Sequence, residues 1–239
     1  MKYRSVLASL PLFAVSLTFS SSVFSQQTAS DPLEPINTKI HAFNDYMDRH
    51  LLRPVAVGYR RYMPVPIRTG VDNFFSNIGD IGIFANNILQ GKFGDAASDT
   101  GRIVINTTLG VGGVLDLASK AGLNKNNEDF GQTLGAWGIQ SGPYIVIPFF
   151  GPSTIRDAFG LAVDTSTNPL NYQDNVRLRN SAFVLEQINK RGAALVGESL
   201  LMGDPYIFMR EAYLQQRAYE VSDGEAEEEE WDDGWEGWD

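Results

Sequence analysis

The sequence contains two histidines, His41 and His50, and histidine is the side chain best suited to acid–base chemistry near neutral pH. They stand nine residues apart on one predicted helix, where each residue advances about 100°, so the two rings point in opposite directions. One metal ion or substrate could therefore not contact both. The chain has no cysteine, which excludes disulfides, thiolate zinc sites, iron–sulfur clusters, cysteine nucleophiles and a lipid attached to cysteine.

Other patterns that could support chemistry are incomplete. Asp95 and Asp99 lie one helical turn apart, but such pairs are common on solvated helices and no calcium-binding loop surrounds them. Gly197–Leu201 lacks the last glycine of a serine-hydrolase elbow, and the glycines of Leu109–Gly113 lack the lysine and hydroxyl of a phosphate loop. The residues therefore predict a protein that is not an enzyme and that holds no metal or cofactor.

The net charge of −10 is concentrated at one end of the chain. Residues 223–239 contain ten acids and no base, whereas residues 26–222 carry 17 bases and 19 acids and are nearly neutral. Nucleic-acid binding requires a clustered basic surface, and the sequence shows none. The acidic stretch cannot form a core and predicts a disordered tail, in which Trp231, Trp235 and Trp238 could anchor a basic partner surface.

The first residues have the order of an export signal. Lys2 and Arg4 precede an apolar segment over 6–19, and small and polar residues follow up to Ser25. The apolar segment is shorter than the approximately 20 residues that a membrane-spanning helix requires. We therefore predict a cleaved signal peptide over residues 1–25 and export to the cell envelope.

The remaining chain shows helical spacing interrupted by glycine and proline. Apolar residues recur every three or four positions over 36–51, 71–89, 95–109, 153–163, 174–191 and 205–219. Pro54 ends the first predicted helix, and Asp204 with Pro205 begins the last. The glycine-rich residues 130–152 predict a loop with a hairpin-like insertion that carries aromatic side chains. We predict a mainly α protein with one helical domain over 26–222.

The helices are amphipathic, and their spacing fits two interpretations. Short helices of this kind could lie in the plane of a membrane surface and surround a polar path. The same apolar stripes would equally form the ordinary core of a helical protein.

A series of short motifs over residues 31–219 resembles the VacJ/MlaA family of Gram-negative outer-membrane proteins. Each motif alone is weak, and their order makes the resemblance specific. The motifs are Asp31–Asn37, Arg53–Ala56, Asn73–Phe74, Asn87–Gly91, Arg102, Ile105–Thr107, Leu109–Gly110, Gly112–Gly113, Asp116, Phe130–Gly135, Gly142–Tyr144, Pro148–Phe149, Gly151, Arg156–Asp157, Asp204–Tyr206 and Arg210–Tyr213.

The resemblance implies a single compact, ring-like bundle of short amphipathic helices with Gly/Pro-rich loops, lying in the periplasmic leaflet of the outer membrane. It implies removal of mislocalised phospholipids from the outer leaflet through an amphipathic channel. The lipids would pass to the periplasmic carrier MlaC, and an outer-membrane porin would hold the ring. Family members usually carry a lipidated cysteine, which this chain lacks, so helix faces and porin contact would hold it in place.

Two segments are the candidates for the lipid path or its gating loop, with scaffold turns as the alternative. They supply Leu109, Gly110, Gly112, Gly113, Tyr144, Phe149 and Phe150. Glycines would give mobility and the aromatic side chains would contact lipid. Two other functions stay open: a structural envelope protein that braces porins without moving lipid, and an envelope phospholipid hydrolase, which the missing histidine constellation disfavours.

Overall fold

The computed structural model describes residues 31–198 and 203–224, and this part of the chain is mainly α, as the sequence predicts. It contains eight α-helices, short 3₁₀ turns and one two-stranded sheet. The helices are α1 (Glu34–Met47), α2 (Arg53–Tyr62), α3 (Val65–Leu89), α4 (Phe93–Thr108), α5 (Phe130–Ala136), α6 (Ile155–Thr167), α7 (Val176–Ala194) and α8 (Pro205–Val221), and the strands are β1 (Tyr144–Ile147) and β2 (Gly151–Thr154). The predicted signal peptide over 1–25, and the acidic tail beyond Gly224, lie outside the described residues. The ring-like arrangement stays a prediction.

The first helical stretch continues past the point where the sequence predicted its end. A π-helical turn over Asp48–Leu52 leads directly into α2, and Pro54 lies in the first turn of α2. A proline is tolerated there because the first N–H groups of a helix have no intrahelical acceptor. The prediction that Pro54 ends the helix is therefore wrong, and α2 is an element that the spacing did not reveal. Pro66 similarly opens α3, which starts at Val65 rather than at 71.

The region over 130–152 contains both a helix and a hairpin. The strands β1 and β2 pair antiparallel, with Tyr144 opposite Thr154, which confirms the hairpin-like insertion. The prediction that the remainder is loop is wrong, because α5 forms at Phe130–Ala136 with Asp129 as its N-cap. A Cβ on Gly131 would collide with the Arg217 guanidinium and the Asp157 carboxylate. The glycine there reflects close packing of helices rather than a turn.

The last helix begins as predicted. The Asp204 carboxylate accepts hydrogen bonds from the backbone N–H groups of Tyr206 and Ile207, and Pro205 occupies the first turn. This arrangement satisfies N–H groups that no intrahelical carbonyl can reach.

The interior of the described residues is unusually polar. The largest side chains with less than 2% exposure are all polar or charged: Arg102, Asn37, Asn87, Thr133, Thr154, Asp80 and Asp99. Many large apolar side chains are exposed, and Tyr62, Val111 and Phe149 are 79%, 70% and 71% exposed. Within the described ranges, no helix combines the length and the hydropathy needed to cross a membrane.

Candidate functional site

A partly enclosed cavity of about 540 Å³ lies beside α3. Its other walls are the segment that leads into α5, the C-terminal end of α6, the turn after it and the second half of α7. The lining residues of α3 follow one helical stripe, at spacings of three and four residues from Asp72 to Asn86. One straight helix therefore forms a continuous wall of the cavity.

The middle of this wall has no side chains. Gly79 and Gly82 both line the cavity, and no atom would lie within 4 Å of a Cβ built on either residue. Phe75, Ile78 and Ile83 supply apolar surface next to them. Each glycine costs about 1 kcal/mol of helix stability relative to alanine, so the open space has an energetic cost. The wall is therefore partly apolar and open at the two glycines.

The polar part of the lining includes Asp164 of α6. Its carboxylate accepts hydrogen bonds from the Phe130 backbone N–H at 3.0 Å and from the Asn86 side-chain amide at 3.4 Å. Asn86 in turn accepts a hydrogen bond from the Thr133 hydroxyl at 2.9 Å. Burial raises the pKa of the Asp164 carboxyl above its ordinary value. This network orients a carboxylate without neutralising its charge.

A second carboxylate of α6 lies in a different environment. Asp157 accepts hydrogen bonds from Arg156 at 2.9 Å and from Arg217 at 3.1 Å, and from the Tyr213 and Thr154 hydroxyl groups, each at 2.8 Å. Arg217 also forms two 2.6 Å hydrogen bonds with Asp129. Burial alone would raise the pKa of both carboxyls, but the hydrogen bonds and charge of Arg217 bring both below the ordinary value. These contacts join α5, α6 and α8 and fix the wall that contains Asp129.

Two lysines give the cavity lining both signs of charge. Lys125 forms an ion pair with the buried Asp80, and its side chain is 37% exposed. Lys190 pairs with Glu186 at 2.6 Å, and its side chain is 63% exposed. The cavity therefore offers apolar, anionic and cationic surface to one ligand, which is the chemical character of an amphiphile.

None of the seven sequence-predicted site residues lines this cavity. Leu109, Gly110, Gly112 and Gly113 form a tight turn after α4, in which Leu109 is 67% exposed. A Cβ on Gly110 would collide with the backbone oxygen atoms of Leu115 and Asn106. Gly113 has φ +90°, and a Cβ there would lie 2.7 Å from the Asn77 side chain. Gly112 has φ +68° with open space around it.

The hairpin separates the other three predicted residues. Tyr144 is buried beside Tyr206, at a ring-centroid distance of 6.2 Å, and burial raises its pKa to about 12. Phe149 and Phe150 lie together in the turn, 71% and 54% exposed, and Phe149 contacts Phe43 of α1 edge to face at 5.3 Å. The structure thus brings the two phenylalanines together and directs the tyrosine into the core.

Two asparagines of α1 hold β1 in place. Asn37 donates to the carbonyl of Tyr144 at 3.0 Å and accepts from the N–H of Val146 at 2.9 Å. Asn44, two turns later, donates to the carbonyl of Ile147 at 3.0 Å and accepts from the N–H of Phe149 at 2.8 Å. Each side-chain amide donates one hydrogen bond to the backbone and accepts one from it, as the backbone of a neighbouring strand would.

The side chains that the sequence offered for catalysis do not meet. The His41 ring packs edge to face on Tyr206, whereas the His50 ring stacks on Tyr46. Asp99 is buried and accepts hydrogen bonds from Asn87 and Asn126, so the expectation of a solvated Asp95–Asp99 pair is wrong for its second member. Across residues 31–198 and 203–224, no three His, Asp or Glu side chains are arranged to hold a metal ion.

Sequence reasoning missed the cavity wall on α3 and the carboxylate of Asp164. The signal for the wall was the pair Gly79 and Gly82 inside a strong helical pattern, since an interior glycine weakens a helix without a local benefit. Asp164 gave no signal, because its lack of an ion-pair partner depends on the packing of α5 and α6.

Comparison with known proteins agrees with this architecture. The family model of the MlaA lipoprotein matches residues 29–220. The intermembrane phospholipid transport system lipoproteins MlaA of Escherichia coli (strain K12) and Shigella flexneri are each 36% identical over 217 residues, which is 88% of this chain and 86% of theirs. A solved structure that concerns the structural basis for maintenance of bacterial outer membrane lipid asymmetry matches with a TM-score of 0.71 and 36% identity, over 80% of this chain and 99% of that chain. By sequence and by fold, the chain belongs to the MlaA family.

Proposed function

We propose that this chain moves phospholipids out of the outer leaflet of the outer membrane and thereby maintains lipid asymmetry. The lipid headgroup passes through the cavity beside α3 and is handed to a periplasmic lipid carrier, MlaC. The proposal extends to this chain the phospholipid transport that the E. coli and S. flexneri relatives are named for.

The observation that carries the proposal is the cavity itself. The cavity has a volume of about 540 Å³; one wall is a stripe of apolar side chains and bare glycine, and the other walls carry charges of both signs. Cavities of this size hold drug-sized ligands, so this one suits a headgroup with the first part of its chains rather than a whole lipid. A site that a lipid passes through needs no nucleophile, because the lipid leaves unchanged.

The exposed apolar side chains support a location in the periplasmic leaflet. Leu109 and Val111 in the turn after α4, and Phe149 and Phe150 in the hairpin, are each more than half exposed. We infer that these side chains contact acyl chains or an outer-membrane porin. Recovery of the mature protein entirely in the soluble periplasmic fraction would contradict this location.

The turn and the hairpin remain the candidates for a gate. Gly112 is the better position for a test, because a side chain there meets open space, whereas one on Gly113 collides with Asn77. Gly112→Ala restricts a backbone with φ +68° and is expected to slow lipid removal. Unchanged surface exposure of phospholipid in cells with this variant would argue that the turn is scaffold.

The main test fills the cavity from its bare wall. In cells that lack the chromosomal gene, we expect the wild-type copy to lower the amount of aminophospholipid that a membrane-impermeant label reaches, and Gly82→Phe to fail to do so. Gly58→Phe on α2 is the matched control, because Gly58 is also a helical glycine with open space and lies outside the cavity.

Full restoration by Gly82→Phe, at a protein level equal to the wild type, would overturn the assignment of the cavity as the path. No increase in labelling on deletion of the gene would instead favour the alternative in which the protein only braces porins.

A further inference from the structure

The charges in the cavity lining are unevenly paired. Five carboxylates line the described cavity, against two lysines. Glu128, Asp129 and Glu186 each form an ion pair, with Lys92 at 2.9 Å, Arg217 at 2.6 Å and Lys190 at 2.6 Å respectively. Asp72 and Asp164 form no ion pair with any residue in the ranges 31–198 and 203–224; Asp72 is exposed and receives one hydrogen bond from Asn189, at 3.1 Å.

Asp164 differs from Asp72 because it is half-buried. A carboxylate in water is well solvated and gains little from a partner, but a desolvated carboxylate gains substantially from a cation. Its two hydrogen-bond donors, the Phe130 N–H and the Asn86 amide, are neutral. Burial raises the pKa of Asp164, and the nearby Asp129 carboxylate raises it further; the two hydrogen bonds and the charge of Arg217 offset this only in part, so the charged form is under-stabilised.

A metal ion does not fit this position. Calcium takes six to eight oxygen ligands and magnesium takes six, whereas Asp164 has one amide neighbour within hydrogen-bond distance. A primary ammonium group needs only one carboxylate and a few hydrogen-bond acceptors. The complementary ligand is therefore an organic amine.

We propose that Asp164 binds the ammonium group of a zwitterionic phospholipid headgroup, so that the cavity selects ethanolamine lipids over glycerol lipids. This inference rests on the proposed function and names its substrate class. The phosphate is common to both lipids and meets Lys125 or Lys190 in either case, so it does not discriminate. A glycerol headgroup carries no cation for Asp164 and adds a net negative charge to a lining that is already net negative.

The experiment measures the ratio of the two lipids that the protein captures. Purified full-length mature protein is incubated with vesicles of equimolar phosphatidylethanolamine and phosphatidylglycerol and repurified, and its bound lipids are extracted and quantified by mass spectrometry. We expect a preference of about tenfold for phosphatidylethanolamine, which is the scale of one charge-assisted hydrogen bond. In Asp164→Asn we expect the preference to fall to about twofold or less, by the same estimate.

Two further variants keep the result interpretable. Asp45→Asn removes an exposed carboxylate of α1 that pairs with Arg49 at 2.9 Å outside the cavity, and should keep the wild-type ratio. Asp164→Glu keeps the charge and should retain most of the preference. Asp164→Asn itself keeps an oxygen that can accept from the Phe130 N–H, so its thermal unfolding should resemble that of the wild type.

The ratio of the two bound lipids tests the ammonium site at Asp164, and the total amount of bound lipid tests passage of lipid through the cavity. An equal ratio in the wild type, or a tenfold preference that survives in Asp164→Asn, overturns the ammonium site but leaves lipid passage intact. Gly82→Phe should lower the total without changing the ratio. No captured lipid of either kind would overturn both proposals.

Discussion

Helix α6 carries two carboxylates in opposite electrostatic environments. Asp157 and Asp164 are seven residues apart and so lie on the same side of the helix. Asp157 is bound by Arg217, by Arg156 and by two hydroxyl groups, and its pKa is lowered, whereas Asp164 has only neutral donors and its pKa is raised. One end of the helix therefore holds the fold together, and the other end presents a charge to the cavity.

The comparison separates residues that stabilise from residues that are available to a ligand. The carboxylates that Arg217 binds each have a cation within the fold itself. The pair of Asn86 and Asp164 is satisfied in hydrogen bonds but not in charge. Substitutions in the two regions should differ in the sign and in the size of their effects on stability.

The largest effect is expected from Arg217→Met. This change leaves Asp129 without a cation and leaves the buried Asp157 with Arg156 alone, and breaking a buried ion pair costs about 3–5 kcal/mol. Chemical denaturation of the purified protein at pH 7 measures the loss. Arg61→Met, on an exposed residue of α2, should change the unfolding free energy by less than about 0.5 kcal/mol. Equal effects of the two variants would mean that the network contributes nothing.

A second contrast uses glycines from the two regions. Gly131→Ala should destabilise the protein by about 2 kcal/mol, because its methyl group would overlap the Arg217 guanidinium and would lie 2.7 Å from Asp157 Oδ1. Gly82→Ala should stabilise it by about 0.5–1 kcal/mol, since the methyl group meets open space and alanine favours the helix. Thermal unfolding midpoints of both variants check the opposite signs. A loss of stability in Gly82→Ala would contradict an open wall.

The smallest effect concerns the two carboxylates directly and depends on pH. Asp157 has a lowered pKa, so its stabilisation is present above the ordinary value near 4 and is lost as the pH falls through the folded-state pKa. Asp164 has a raised pKa, so its ionised form destabilises the fold at pH 7, and this cost disappears as the pH falls below the raised value. At pH 7, Asp157→Asn should lose about 1.5 kcal/mol, whereas Asp164→Asn should be neutral or stabilising.

Urea unfolding from pH 7 to pH 3 measures both variants against the wild type. The deficit of Asp157→Asn should shrink at the acidic end. A deficit of the same size in Asp164→Asn at pH 7 would remove the distinction between the two ends of α6.

Helical spacing was sufficient to predict the fold class and most of the helices, because apolar periodicity is a local property of the sequence. It failed where one residue type has two structural uses. Proline ends a helix in one context and opens one in another, as Pro54 does here. Glycine marks a turn in one context and close packing of helices in another, as Gly131 does here. Only the tertiary neighbours distinguish these uses.

The candidate site was less predictable than the fold. The exposed Phe149 and Phe150 could be identified as surface aromatics from the glycine-rich hairpin around them. The cavity could not be predicted from the sequence. Its open space lies where Gly79 and Gly82 have no side chains, and its charge depends on which carboxylates pair with a cation. Pairing of charges is a property of residues distant in the sequence, such as Asp129 and Arg217.

The asparagine contacts of α1 have a consequence for the behaviour of the protein outside a membrane. A two-stranded sheet has two outer edges, and an unpaired edge can recruit strands from other chains and begin aggregation. Along β1, the carbonyl of Tyr144 and the N–H of Val146 are occupied by Asn37, and the carbonyl of Ile147 is occupied by Asn44. The helix therefore covers this edge with side-chain amides, which protects an apolar-surfaced hairpin from β-type self-association without adding a third strand.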